Sequence, residues 1–260
     1  MKIAFFDSGI GGMTVLRKAV EIIPNERYIY YADSLNAPYG IRDKDEVRKL
    51  TISAIDSFEP GQIKALVVAC NTATSIAIED LRERYPFPVV GMEPALKPAV
   101  EKNPDGRILV LATPLTLRED KFRQLVKKLD SEDKVDILPL QELVSFAENF
   151  VFSGWEVDSY LQRSFKDIDF DGYSSIVLGC THFSFYREQI ERISGNRAEV
   201  IDGNNGTVRR LKKILDGLDD KGDAFDFEVY ISGMKVVRKD LMDIYMQIIS
   251  GHIPNSAGRF

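Results

Sequence analysis

The sequence predicts an α/β fold built from two similar halves with mainly parallel sheets. Short apolar runs alternate with longer amphipathic segments almost from end to end, which is typical of βαβ units. The spacing of the strands also repeats. A strand begins at Ile3 before Cys70 and another at Ile108 before Cys180, and the two intervals have nearly the same length. Finally, the only two cysteines end matching phrases, ALVVAC and SIVLGC, which indicate equivalent strands.

The individual strands are predicted from apolar, β-branched runs bounded by turn signals. They fall at residues 2–6, 27–32, 64–69, 87–90, 106–111, 134–138, 174–178, 198–201 and 226–231. The segment GMEPALKPAV at 91–100 carries two prolines and suits a crossing between the halves. The residues after 201 are too few for a third α/β domain, so we expect them to return to the first. The predicted domains are therefore 1–92 with 206–260, and 93–205.

The composition is that of an ordinary soluble protein, with 44% hydrophobic and 28% charged residues in 260. A formal charge of -6 argues against nucleic-acid binding, which usually needs a basic surface. No apolar stretch approaches the roughly 20 residues that span a bilayer. We therefore expect a cytoplasmic protein with neither nucleic acid nor a membrane as partner.

Each cysteine is expected at the carboxyl end of a buried strand, which is where ligands bind in α/β sheets. Cys70 is followed by Asn71 and Thr72, and Cys180 by Thr181 and His182. Four other interpretations stay open at this point: inert core cysteines, a disulfide, a redox switch and a metal site. The N-terminus lacks a signal peptide's apolar region, and cytosolic disulfides are rare. We expect no metal, because neither cysteine has a close CxxC partner.

A glycine-rich turn, DSGIGG, follows the first predicted strand and leads into a helix. Backbone N–H groups in such a turn can approach an anion at the helix N-terminus. Thr14 occupies the place of the last glycine in a dinucleotide fingerprint, and Asp33 is the only candidate ribose acid. Two alternatives to a substrate-binding turn are therefore a dinucleotide site and a structural turn in which Asp7 caps the helix.

Two further polar segments are predicted at the same edge of the sheets. Residues 31–40, YADSLNAPYG, form either a simple turn or a loop that covers a substrate. In the second half, Thr113 and Thr116 follow the strand that corresponds to the Asp7 strand, so their hydroxyls would face the glycine turn. Helix capping alone would also explain either threonine.

These phrases together resemble a known family. The chain contains, in this order, DSGIGG, ADSLNAPYG, VVACNTAT, EPALKPA, ATPLT and LGCTHF. Over most of residues 1–205 it resembles glutamate racemase, of the cofactor-independent aspartate/glutamate racemase superfamily. The resemblance implies two pseudo-symmetric α/β domains with the active site in the cleft between them.

The resemblance also implies roles for individual residues. Cys70 and Cys180 would be the acid/base pair, assisted by Asp7 beside Cys70 and by His182 with Glu148 beside Cys180. Glu142 is the alternative to Glu148. The residues expected to line the glutamate site are Asp7, Ser8, Pro38, Tyr39, Gly40, Asn71, Thr72, Thr181 and His182, with Thr113 and Thr116 added from the strand-end pattern.

The implied function is interconversion of L- and D-glutamate without a cofactor, supplying D-glutamate for peptidoglycan. One thiolate would remove the Cα proton while the opposite thiol returns one, and we expect helix N-termini to lower the thiol pKa values. Racemisation of another amino acid such as aspartate, and a non-catalytic relative that only binds the ligand, remain alternatives. A homodimer is the candidate assembly. The run Phe183 to Tyr186 departs from the family, so the following helix is expected to begin differently.

Overall fold

The computed structural model describes residues 1–92, 94–103, 106–129, 131–220 and 222–254. The strands are β1 (Lys2–Asp7), β2 (Arg27–Ala32), β3 (Ile63–Val68), β4 (Val89–Gly91), β5 (Arg107–Ala112), β6 (Val135–Pro139), β7 (Tyr173–Leu178), β8 (Glu199–Asp202), β9 (Asp226–Ile231) and β10 (Met234–Lys235). Every strand predicted from the sequence is therefore present, with ends displaced by at most two residues.

The helices occupy the amphipathic segments between the strands. They are α1 (Met13–Ile22), α2 (Lys44–Asp56), α3 (Asn71–Arg84), α4 (Leu96–Lys102), α5 (Pro114–Arg118), α6 (Asp120–Lys128), α7 (Glu142–Glu148), α8 (Trp155–Ser164), α9 (Arg187–Ile193), α10 (Asn204–Asp216) and α11 (Lys239–Ile249). Within the described ranges, no helix is both long enough and apolar enough to cross a membrane.

The strands form two sheets with the same internal order. One sheet is ordered β10-β9-β2-β1-β3-β4 and the other β6-β5-β7-β8. All pairs are parallel apart from the β9–β10 hairpin. The four strands β2-β1-β3-β4 thus correspond to β6-β5-β7-β8, which confirms the predicted fold of two similar, mainly parallel α/β halves.

The repeat extends to the irregularities of the strands. The register between β1 and β3 shifts between Lys2 and Ile3, and the register between β5 and β7 shifts between Arg107 and Ile108. β3 and β7 end two residues before Cys70 and Cys180. The two cysteines therefore occupy equivalent positions at the carboxyl edges of their sheets.

The C-terminal segment returns to the first sheet, because β9 pairs in parallel with β2. The hairpin partner β10 was not predicted, since two residues are too few to carry a pattern. This strand membership supports the domain division expected from the sequence, which stays a prediction. Its boundary at 206 lies inside α10, so a division before Asn204 would keep that helix whole.

Strand β1 shows why the first sheet lies between two layers of helices. Ile3 and Phe5 pack in one core with residues of α1, α10 and α11, whereas Ala4 and Phe6 pack in another with residues of α2 and α3. Successive side chains of a strand point to opposite faces, so a strand covered on both faces must be apolar throughout. This burial holds the carboxyl end of β1, where Asp7 lies, in a fixed position.

Candidate active site

Both cysteines are buried thiols at the edge where the two sheets face each other. Cys70 directly precedes α3, and its Sγ accepts a hydrogen bond from the Ala73 N–H at 3.4 Å. Cys180 precedes a single 3-10 segment, Thr181–Tyr186, and α9 begins only afterwards. That this helix begins differently from that of the relatives stays a prediction. Both thiols are free, so the disulfide interpretation is wrong.

Hydrogen bonds join the strand ends of one half directly to those of the other. The Thr181 hydroxyl donates to Asp7 Oδ2 at 3.0 Å, and the Ile10 N–H donates to Glu148 Oε1 at 2.7 Å. The turn between β1 and α1 approaches the second half so closely that a side-chain Cβ at Gly9 would overlap the Glu148 carboxylate. The glycines of this turn thus permit contact between the halves.

On the Cys180 side, a histidine links the thiol to a carboxylate. His182 Nδ1 lies 3.7 Å from Cys180 Sγ, and its Nε2 lies 2.7 Å from Glu148 Oε1. Burial is the largest single influence and lowers the pKa of His182, but the hydrogen bonds to Cys180 and Glu148 and the charge interactions with both groups together raise that pKa well above its usual value. Glu142 is exposed in the first turn of α7, so the structure brings Glu148 to the site and not Glu142.

The Cys70 side has a different chemistry. The Cys70 thiol donates to the Ser8 hydroxyl at 3.5 Å. Burial raises the pKa of Cys70 to about 12, and the nearby charge of Asp7 acts in the same direction. A helix N-terminus was expected to lower this pKa. That expectation is wrong for Cys70, because the cost of burying a thiolate exceeds the benefit of the Ala73 N–H.

Asp7 lies between the two thiol environments. Its Oδ1 accepts from the Gly9 N–H at 2.9 Å while its Oδ2 accepts from Thr181. Burial raises the pKa of Asp7 to about 6, and the positive charge of His182 opposes that shift. α1 has Gly12 at its N-cap with no side-chain hydrogen bond, so the alternative in which Asp7 caps the helix is wrong.

The polar loop after β2 is held by a buried carboxylate. Asp33 accepts hydrogen bonds from the Tyr39 hydroxyl at 2.6 Å, from the Asn36 amide, and from the Ser232 hydroxyl of the β9–β10 turn at 2.9 Å. This network places Tyr39 and its neighbours Pro38 and Gly40 at the site edge. From the sequence, Asp33 was considered only as a ribose ligand. Its position directly after a strand was the signal that could have indicated a role in holding this loop.

Three threonine hydroxyls from both halves meet in one cluster. Thr72 Oγ1 lies 3.1 Å from Thr113 Oγ1 and 2.9 Å from Thr116 Oγ1, and the last two are 2.9 Å apart. Thr113 also caps α5 by accepting from the Thr116 N–H, so the capping interpretation holds as well. Asn71 Oδ1 is buried and has no hydrogen-bond partner among the described residues. The three predicted threonines therefore meet where the two halves join.

The chain is similar to known racemases over most of its length. A family model described as Asp/Glu/Hydantoin racemase matches residues 11–211. A glutamate racemase of Halothermothrix orenii is 49% identical over 256 residues, covering 95% of this chain and 100% of the relative. Glutamate racemase 2 of Bacillus subtilis is 47% identical, covering 95% of both chains.

Solved structures agree with this similarity. The Escherichia coli glutamate racemase, crystallised with L-glutamate and the activator UDP-MurNAc-Ala, superposes with a TM-score of 0.83 at 25% identity, covering 94% of this chain and 95% of that one. The family expected from the sequence motifs is thus confirmed. This chain belongs to the Asp/Glu/Hydantoin racemase family.

Proposed function

We propose that this protein is a glutamate racemase that moves a proton at Cα between Cys70 and Cys180 without a cofactor. The observation that carries the proposal is the pair of buried, free thiols at equivalent strand ends of two facing halves. Two acid/base groups on opposite sides of one carbon are what inversion requires. Relatives named glutamate racemase support glutamate as the substrate.

The two environments support complementary starting states. His182, whose Nδ1 lies 3.7 Å from Cys180 Sγ, is placed to exchange a proton with that thiol, so we assign Cys180 to removal of the Cα proton. Cys70, whose raised pKa keeps it a neutral thiol, holds the proton that is returned to the opposite face. After one turnover the proton states of the two thiols are reversed, so the reverse reaction uses the same groups in exchanged roles.

The α-carboxylate must be held while negative charge develops at Cα. Preorganised donors stabilise such charge without reorganisation at the moment of reaction. The hydroxyls of Ser8 and Thr181 lie next to Cys70 and Asp7 and serve this purpose. Thr72, whose hydroxyl bonds those of Thr113 and Thr116, joins the binding site with them. Pro38, Tyr39, Gly40, Asn71, Thr113 and Thr116 complete the proposed binding site.

The proposed biological role is the supply of D-glutamate for peptidoglycan in the cytoplasm. A homodimer remains the candidate assembly, and sedimentation of the purified protein tests it. The role itself predicts that loss of the gene makes a bacterium dependent on added D-glutamate.

The direct test follows deuterium at Cα in heavy water. We expect incorporation into both L- and D-glutamate, detected by NMR, without added pyridoxal phosphate. Aspartate, run in parallel, should exchange far more slowly. Faster exchange with aspartate would reassign the substrate, and exchange with neither amino acid would support a protein that binds its ligand without turnover.

A further inference from the structure

A glutamine outside the predicted site lies beside Gly40 and Thr113, two residues of the proposed substrate site. Gln141 lies two residues beyond the carboxyl end of β6 and occupies the N-cap position of α7, without a side-chain capping bond. Its side-chain amide is shielded from solvent, and neither Nε2 nor Oε1 has a hydrogen-bond partner among the described residues. An amide shielded in this way is costly unless some group pairs with it.

The neighbours of this amide belong to the proposed substrate site. A Cβ built on Gly40 would lie 2.8 Å from Gln141 Oε1 and would also overlap the Thr113 side chain. Gly40 comes from the loop after β2, whereas Thr113 and Gln141 follow strands of the other sheet. The amide therefore lies where the two halves meet.

Its neighbours differ from those of the two thiols. The hydrogen-bond partners of Cys70 and Cys180 are Ser8, Ala73 and His182. The reacting Cα must touch both sulfurs, and neither sulfur has a hydrogen bond to Gly40, Thr113 or Gln141 among the described residues. The groups around Gly40 and Thr113 are therefore available to a part of the substrate other than Cα. In glutamate that part is the side-chain carboxylate.

We propose that Gln141 binds the side-chain carboxylate of glutamate by donating an amide N–H to it. This inference rests on the proposed glutamate racemase function. The amide nitrogen and oxygen exchange places by rotation of the side chain, so either can face the ligand. A neutral amide leaves no unpaired charge in the site when the substrate departs. Aspartate, shorter by one methylene, holds its carboxylate closer to Cα and cannot use this donor equally well.

Kinetics of Gln141→Leu test the proposal. Loss of one hydrogen bond to a charged group corresponds to about a tenfold rise in KM for both glutamate enantiomers. kcat should change little, because the donor acts on substrate and transition state alike. Gln141→Glu should raise KM further, since a carboxylate would face a carboxylate. The preference for glutamate over aspartate should fall in both variants.

A matched control is Gln189→Leu. This variant removes another partly buried glutamine amide, which donates to the Phe152 carbonyl at 3.1 Å in the second half. It should leave KM for glutamate unchanged. Thermal unfolding and circular dichroism identify any Gln141 variant that fails to fold. Gln141→Asn is a smaller change, and its KM should lie between those of the unaltered protein and Gln141→Leu.

An unchanged KM in Gln141→Leu and Gln141→Asn would overturn the inference, as would a loss confined to kcat or an unchanged glutamate preference. Failure of the proposed function would look different, because the unaltered protein itself would show no Cα exchange with glutamate.

Discussion

The two cysteines have similar sequence surroundings and opposite electrostatic surroundings. Cys70 donates to a serine hydroxyl, and burial beside Asp7 raises its pKa to about 12. Cys180 instead contacts His182, which is bonded to Glu148 and has a raised pKa. Equivalent strands thus deliver equivalent thiols, while the groups that surround each thiol differ. The fold repeat is symmetric, but the proton chemistry is not.

Asp7 limits this contrast because it contacts both sides. Its charge acts on Cys70, yet it accepts a hydrogen bond from Thr181, the residue after Cys180. Its assignment to the Cys70 side alone, as the motif resemblance implied, therefore stays a prediction that kinetics must test.

Removing either thiol is the largest perturbation. Cys70→Ala and Cys180→Ala should each lower racemisation by about 10²- to 10⁴-fold or more, the range for loss of a general acid or base. Circular dichroism of the glutamate solution follows the reaction. Serine variants should retain a trace of activity, and pyridoxal phosphate should restore none. Activity that survives in the double alanine variant would exclude the two-thiol mechanism.

Removing one helper should expose the asymmetry. His182→Asn should slow the direction of proton abstraction that depends on Cys180, and Asp7→Asn the opposite direction, each by about 10²-fold. The equilibrium ratio of enantiomers must stay at one, so the effect appears in Cα exchange rates from each enantiomer and in primary isotope effects. Equal slowing of both directions by both variants would show that these residues position the substrate.

The raised pKa of Asp7 predicts a specific pH dependence of stability. Because its pKa rises from 3.8 to about 6 on folding, the folded protein favours the protonated form, and ionisation above pH 6 costs about 3 kcal/mol. Relative to Asp7→Asn, the free energy of unfolding should therefore fall as pH rises from about 4 to 6 and then level off. Urea denaturation at several pH values measures it. If the difference in the free energy of unfolding between the unaltered protein and Asp7→Asn does not change with pH, the pKa of Asp7 in the folded protein lies near its ordinary value.

Loosening the hydrogen-bond network around Asp33 should have the smallest effect. It should slow racemisation of L- and D-glutamate to the same degree. Asp33→Asn replaces one acceptor oxygen with a donor, which loosens Tyr39 and Ser232, so KM should rise about fivefold with similar kcat for both enantiomers. Ser232→Ala is the matched, milder change. A direction-dependent effect would mean that this loop influences one thiol, which would revise the contrast between the two sides.

The sequence predicted the features that depend on neighbours along the chain. Apolar runs such as ALVVAC and SIVLGC report burial on both faces of a strand, and the repeat of their spacing indicated two similar halves. The C-terminal return to the first sheet was predicted from chain length. The motifs also identified the family and most of the residues that gather at the strand ends.

Only the tertiary structure decided what faces those residues. Whether Glu142 or Glu148 reaches His182 depends on how α7 packs, because both carboxylates lie on that one helix. The pKa of Cys70 depends on how completely the surrounding elements exclude water, which no local pattern records. Asp33 bonds Ser232, and Gln141 lies opposite Gly40. Both contacts join chain segments that are far apart in sequence. Burial and charge act through space, so these properties arise only when the two halves are assembled.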